Sequence, residues 1–377
     1  MDIENKSTKK KIGILSMQRI KNYGSFLQAY GLRKLIEEQG YEVQYVDYHV
    51  EEPIIKDNLN GKNDKISKAL KTLEGDAPLI QKIQYIIHKK NFGKKYYGVL
   101  GLTETPNYNP ELDTLVIGSD EVFNCIQSNK NVGYSLELFG KDNNAKKVIT
   151  YAASFGNTTI AKLEEHNKKE EIADLLNKMD MVSARDNNTG KIVETISDKK
   201  VVYNLDPVLA YDYMNKCNEI PDIDVKEKFI IVYAYSNRIS ANESKYIREF
   251  AKKNNLKVYS IGGAQKCADK FIDCSPFEAL AYFKKAEIVI TDTFHGSIFS
   301  IITKRNFVTL VRKSVGNAYG NEEKLTDLLE RLSLKDRITY DIKNIDEILN
   351  NKIDYDKVDE ILKSERANTF NYLKNEL

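Results

Sequence analysis

Residues 286–303, AEIVITDTFHGSIFSIIT, carry the reading that decides the fold. The run EIVIT has a short apolar centre, Ile288 to Ile290, as a buried strand does. A polar turn follows, and the apolar residues from Phe294 to Thr303 resume at helical length. The same strand–turn–helix rhythm extends in both directions. Downstream lies the strand NFVTLV (306–311). Upstream lie KFIIVYAY (228–235), a helix over 241–254, LKVYSIGG (256–263) and a helix over 276–285.

The first half of the chain repeats that architecture without repeating the sequence. KKIGILS (10–16) precedes an amphipathic stretch, 23–39, in which Phe26, Leu27, Tyr30, Leu32, Leu35 and Ile36 recur at helical spacing. Gly40 stops the helix and YEVQYVDY (41–48) alternates as a strand, giving a βαβ unit with parallel strands. DTLVIGSD (113–120), KKVITYAAS (146–154), a helix over 160–178, MDMVSARD (179–186) and VVYNLDPVL (201–209) continue the series. The polar stretch 215–228, with Pro221, reads as a linker. The expected fold is α/β, with two Rossmann-like domains facing across a cleft (GT-B-like), residues 1–220 and 221–340, and additional C-terminal helices over 341–377. Ile345, Ile348, Leu349, Val358, Ile361 and Leu362 supply the packing face of those last helices.

Residues 51–110 break the rhythm. A polar stretch, 51–76, reads as loop with a short helix. It is followed by the basic helical segment PLIQKIQYIIHKKNFGKKYYGVL (78–100). There Ile80, Ile83, Ile86 and Ile87 fit one buried face, with the lysines solvated opposite and His88 at the surface or in packing. The functional alternative is an electrostatic landing strip for a lipid-linked or anionic acceptor.

Composition narrows the function. Lys+Arg of 57 against Asp+Glu of 55 leaves a net charge of +2, which argues against a nucleic-acid binder. The polar first ten residues lack a secretory signal, and no apolar run approaches the roughly 20 residues that span a bilayer. A cytoplasmic location with at most peripheral membrane contact is expected. The four cysteines show neither CxxC nor His–Cys spacing, so free thiols are expected rather than structural zinc or a disulfide framework.

Open parallel sheets bind ligands beyond the carboxyl ends of their strands. In TDTFHGS, Asp292 or Thr293 can cap a helix whose free N–H groups attract phosphate. Gly296 and Ser297 are small enough for an anion to approach the backbone. His295 beside it can donate a hydrogen bond or move a proton, or can be a packed histidine behind a capped helix. Arg185, after MVSA, can clamp a carboxylate or phosphate, or pair with Asp186 or Asp206. Asn22, Tyr23 and Gly24 bind substrate or cap the first long helix. Asp120, beside Ser119 in GSDEVFN, is a general base or an organiser of its loop. Gly262-Gly263 is too short to stand as a phosphate loop.

Taken in order, IGILSMQRIKNYGSFLQAYGLRKLIEEQGYEV, DTLVIGSDEVFN, VITYAASFG, VSARDNNTG, LDPVL and TDTFHGSIFSIITKRNF resemble the polysaccharide pyruvyl transferase family, over roughly residues 11–335. Glu121 and Phe123 stand where that family commonly has Gln and Trp. The resemblance implies transfer of a pyruvyl group from phosphoenolpyruvate to sugar hydroxyls. The product is a cyclic ketal in surface-polysaccharide (exopolysaccharide) biosynthesis. It implies a donor-phosphate role for the second domain and an acceptor role for the first. The acceptor would be a sugar, a nucleotide sugar or a lipid-linked glycan, with no cofactor and no metal. The family's donor-binding arginine, histidine and C-terminal basic residue fall on Arg185, His295 and Lys324, with Arg312 and Lys313 as rivals for the third place. Asp120 would assist deprotonation, and Asn22, Tyr23, Gly24, Ser119, Gly296 and Ser297 would line the substrate. The competing readings are a GT-B glycosyltransferase using a nucleotide sugar and a catalytically silent sugar-phosphate-binding protein.

Overall fold

The structure is a computed structural model that describes residues 9–55, 73–313 and 322–377. Most of the stretch expected as loop with a short helix, residues 56–72, lies outside the described residues.

Strands β1 (Lys11–Leu15), β2 (Glu42–Val46), β3 (Glu111–Asp120), β4 (Asn144–Ala153), β5 (Val182–Ala184) and β6 (Val201–Tyr203) form one parallel sheet, in the order β2-β1-β3-β4-β5-β6. The second parallel sheet holds β7 (Phe229–Tyr233), β8 (Lys257–Ile261), β9 (Lys270–Phe271), β10 (Ile288–Thr291), β11 (Asn306–Leu310) and β12 (Ile338–Thr339). Its order is β12-β11-β10-β7-β8-β9. This is the α/β architecture of two doubly wound sheets that the sequence predicts. In each sheet the winding reverses once, between β1 and β3 in the first and between β7 and β10 in the second. The crevices left there are where such sheets bind ligands.

The backbone from Cys217 to Lys228 is irregular and joins the halves. Two apolar clusters cover the outer faces of the sheets, and a third spans both halves. The helix Tyr23–Glu37 belongs to that shared core: Tyr30 and Phe26 meet Phe277 edge-on at 5.0 and 5.7 Å. Aromatic pairs of this kind hold beyond their buried area, so the halves meet through packed side chains and not through the linker alone.

The C-terminal helix Tyr355–Glu376 returns to the first sheet. Tyr372 donates to the Thr150 carbonyl at 2.6 Å, Lys147 pairs with Glu376 at 2.9 Å, and Arg366 donates to the Leu209 carbonyl at 2.9 Å.

Two local expectations are corrected. The helix expected over 160–178 is broken into Ile160–Glu165 and Lys169–Lys178 by Asn167 at φ 52°, a left-handed conformation that asparagine tolerates. The helix Leu79–Tyr96 is turned the other way round from its hydrophobic pattern. Ile80, Ile83 and Ile87 are 71%, 44% and 49% exposed, whereas Gln81, Lys82, His88 and Phe92 are buried. Polar partners decide its orientation. Lys82 donates to the carbonyls of Leu73 and Gly75 at 2.6 and 2.8 Å, Gln81 donates to that of Ala268 at 3.0 Å, and His88 Nδ1 sits 2.6 Å from Asp273.

Candidate functional site

The loops at the two reversal points open onto one cleft of about 340 Å³, whose wall includes Asn22, Asp120, Arg185, His295 and Lys324. These five expected site residues are brought together from both domains.

Strand β10 ends at Thr291, whose hydroxyl accepts from the Thr293 N–H at 3.1 Å. Thr293, not Asp292, then caps the helix Phe294–Ile302, its Oγ1 accepting from the Gly296 N–H at 2.9 Å. The first-turn N–H groups of Phe294 and His295 have no acceptor among the described residues, and both residues face the cleft. A helix start so arranged favours an anion.

His295 is held between domains. Its ring lies so close to Gly24 that a Cβ on Gly24 would overlap the imidazole. Its Nε2 is 3.7 Å from Asp206 Oδ2, beyond hydrogen-bond length but within reach of an ion pair when the ring is protonated.

Arg185 follows β5 and is buried. Its Nη1 is 3.2 Å from Asp206 and 3.9 Å from Asp120, and its guanidinium stands 4.3 Å from the centre of the Phe294 ring. Burial alone would pull its pKa down. The carboxylates of Asp206 and Asp120 outweigh that and raise it, so the charge is kept. Of the partners open to Arg185 on sequence, Asp206 is the one taken. Asp186 instead caps its own helix, accepting from the Thr189 N–H at 2.9 Å.

Asp206 is the buried hub. Burial opposes its ionisation, but His295, Arg185 and the Val208 N–H (2.9 Å) together hold the carboxyl below the usual range. Gln28 also donates to it. Asp120 sits at φ 74°, a left-handed position costly for a residue with a side chain, and is fixed there by Ser25 Oγ at 2.7 Å. Asn22 caps the helix that presents Ser25, accepting from the Ser25 N–H at 2.7 Å. It therefore both caps and lines the cleft. Lys324 reaches across from the second domain to Glu121, Nζ to Oε1 at 2.8 Å.

The remaining expected residues do structural work. Tyr23 is buried and donates to the Cys274 carbonyl at 3.0 Å. Ser119 donates to the Ala152 carbonyl at 3.0 Å, away from the cleft. The small size expected to admit an anion at Gly296 serves packing, since a Cβ there would strike the Thr291 and Thr293 hydroxyls. Ser297 is fully buried against Thr309 Oγ1 at 2.9 Å. Of the rivals to Lys324, Arg312 pairs with Glu243 at 2.5 Å and stands 3.7 Å from the cleft residue Asp292, and Lys313 lies 5.2 Å from the Tyr340 ring centre.

Arg238 escaped the sequence reading. It lines the cleft and sits 2.9 Å from Asp292, whose carboxyl burial pushes up despite Arg238 and Arg312. The available signal was its place in the loop after β7, at the second reversal point. No group of three or more His, Cys, Asp or Glu among the described residues is arranged to hold a metal ion. The four cysteines are buried free thiols, and burial pushes those of Cys125, Cys217 and Cys267 up to about 12.

A family model described as polysaccharide pyruvyl transferase matches residues 22–314. Among curated proteins no relative matches the chain. Solved structures to which the chain is similar include an S. aureus MnaA–UDP co-structure, 12% identical over 96% of this chain and 92% of that one, with a TM-score of 0.49. A putative UDP-N-acetylglucosamine 2-epimerase from Listeria monocytogenes is 10% identical over 93% of this chain and 91% of that one, also at a TM-score of 0.49.

Proposed function

We propose that this chain, which belongs to the polysaccharide pyruvyl transferase family, moves the pyruvyl group of phosphoenolpyruvate onto two hydroxyls of a sugar. The product is a pyruvate ketal for a surface polysaccharide, made in the cytoplasm without a cofactor. The observation that carries this reading is the convergence of Arg185, His295 and Lys324 on one cleft beside the start of the helix Phe294–Ile302. A small donor with a carboxylate at one end and a phosphate at the other is matched by cationic groups of that kind.

In this reading the N–H groups of Phe294 and His295, with Lys324, hold the phosphate, and Arg185 faces the carboxylate. Protonated His295, 3.7 Å from Asp206, gives its proton to the methylene carbon, and the enol phosphate becomes an oxocarbenium-like centre. A sugar hydroxyl adds to that carbon and loses its proton to Asp120. The second hydroxyl then attacks the same carbon, the C–O bond to phosphate breaks, and the released phosphate takes up the second hydroxyl proton. The acceptor is a sugar in free, nucleotide-bound or lipid-linked form.

The test is incubation with phosphoenolpyruvate and a panel of sugar acceptors, following phosphate release and an acid-labile mass gain on the sugar. Product from UDP-sugars and none from phosphoenolpyruvate would overturn the reading. His295→Ala should lower kcat by about 10²–10⁴-fold while the protein stays folded.

A further inference from the structure

We propose that the outward face of the helix Leu79–Tyr96 docks on an anionic lipid surface. This goes beyond the transfer reaction above and does not depend on it. The observation behind it is the inverted burial of this helix. Ile80, Ile83, Ile87, Lys90 and Lys94 fall within a roughly 80° arc of the helix. The isoleucines of that arc are 71%, 44% and 49% exposed, and Leu79 beside them is 61% exposed. Lys90 and Lys94 are exposed too, with no carboxylate within ion-pair distance among the described residues. The stripe therefore runs from bare aliphatic side chains to bare ammonium groups along one face.

The helix is held so that this face stays out. Its inner face is pinned by the Lys82, Gln81 and His88 contacts and by Phe92, which meets Tyr23 and Phe26. Rotation to bury the isoleucines would break three polar anchors at once, and unmade buried hydrogen bonds are costly.

The chemistry of the face selects the partner. Protein interfaces favour aromatic residues and arginine and are depleted of lysine, whereas here aliphatic side chains stand beside lysines. An interfacial helix on lipid has that composition, its aliphatics at the acyl boundary and its lysines among anionic headgroups. The helix itself is tied to the cleft rim from its other side, where Lys89 donates to the carbonyl of Lys21, the neighbour of the cleft residue Asn22.

Vesicle flotation with the full chain tests this. The protein should float with vesicles of phosphatidylcholine and phosphatidylglycerol in equal parts, stay behind with pure phosphatidylcholine, and be released by high salt. Ile83→Asp with Ile87→Asp should lower the bound fraction about tenfold or more. Lys90→Glu with Lys94→Glu should lower it at least as far, since each lysine contributes about fivefold. Both pairs are exposed, so thermal melting should be unchanged. Failure of the wild-type chain to float with the mixed vesicles, or equal binding by the variants, overturns the proposal. So does a dimer in solution that the Ile83→Asp, Ile87→Asp chain fails to form, with no vesicle binding, because the face then belongs to a second copy. Flotation needs neither phosphoenolpyruvate nor acceptor, so its outcome is separate from that of the transfer assay.

Discussion

Asp206 and His295 meet across the domain boundary, Oδ2 of one 3.7 Å from Nε2 of the other. The same Oδ2 lies 3.2 Å from Arg185 and accepts from Gln28, so one buried oxygen orders side chains from both halves of the cleft.

Asp206→Asn removes that charge and leaves the Arg185 guanidinium buried with less compensation. Loss of about 3–5 kcal/mol of stability is expected in urea unfolding at neutral pH, the range for breaking one partner of a buried pair. The pH dependence has a definite sign. The folded carboxyl titrates below its unfolded value, so its contribution is complete above about pH 4 and is lost as pH falls further, through the folded pKa. The gap between wild type and Asp206→Asn should therefore close on acidification below pH 4 and not before.

Gly24→Ala places a methyl group where the His295 ring stands. Alanine is favoured over glycine within a helix by about 1 kcal/mol, so the helix Tyr23–Glu37 should persist by circular dichroism. Turnover should nevertheless fall about 10²-fold through displacement of the imidazole. Adding Gly24→Ala to His295→Ala should cost little more than His295→Ala alone, which a double-mutant cycle reads directly.

Glu121→Gln keeps the side chain's shape and removes a carboxylate that holds Lys324 at 2.8 Å. An anionic donor then no longer competes with it. The KM for phosphoenolpyruvate should fall about tenfold, a 1.4 kcal/mol effect well inside the ~4 kcal/mol of two like charges 4 Å apart near a protein surface. A rise in KM in initial-rate measurements would show that Glu121 instead positions the lysine for the donor.

His88 is 3% exposed among Tyr23, Phe92 and Phe271, and burial depresses its pKa below 6.5 although Asp273 opposes the shift. The unfolded chain therefore takes up a proton first, and stability should decline as pH falls from about 6.5 toward the folded pKa. His88→Phe, which keeps a ring in that nest and leaves Asp273 to Lys95 at 3.6 Å, should flatten this part of the curve in urea unfolding between pH 7 and pH 5.

The alternation of short apolar runs with amphipathic stretches is a local property, so it was legible in the chain. It placed β1 before the NYG loop and β10 before TFHGS, and with them Asn22, Asp120, Arg185 and His295; Lys324 came from the family resemblance, and all five share the cleft. The helix Leu79–Tyr96 misled the same reasoning because hydrophobic spacing names an apolar face without saying which face has a partner. Carbonyls of Leu73, Gly75 and Ala268, distant or irregular in sequence, decided the matter by hydrogen bonding to Lys82 and Gln81.

By itself, then, the sequence determined two parallel βα series and the strand ends at which polar residues gather, because strand and helix periods depend only on neighbours along the chain. Only the tertiary structure decided what those residues do for one another. Asp206 became the partner of both Arg185 and His295, Gly24 the space in which His295 stands, and Gly296 a packing contact with Thr291. Each depends on distances between segments far apart in the chain, and those distances are set when the two sheets pack around their shared core.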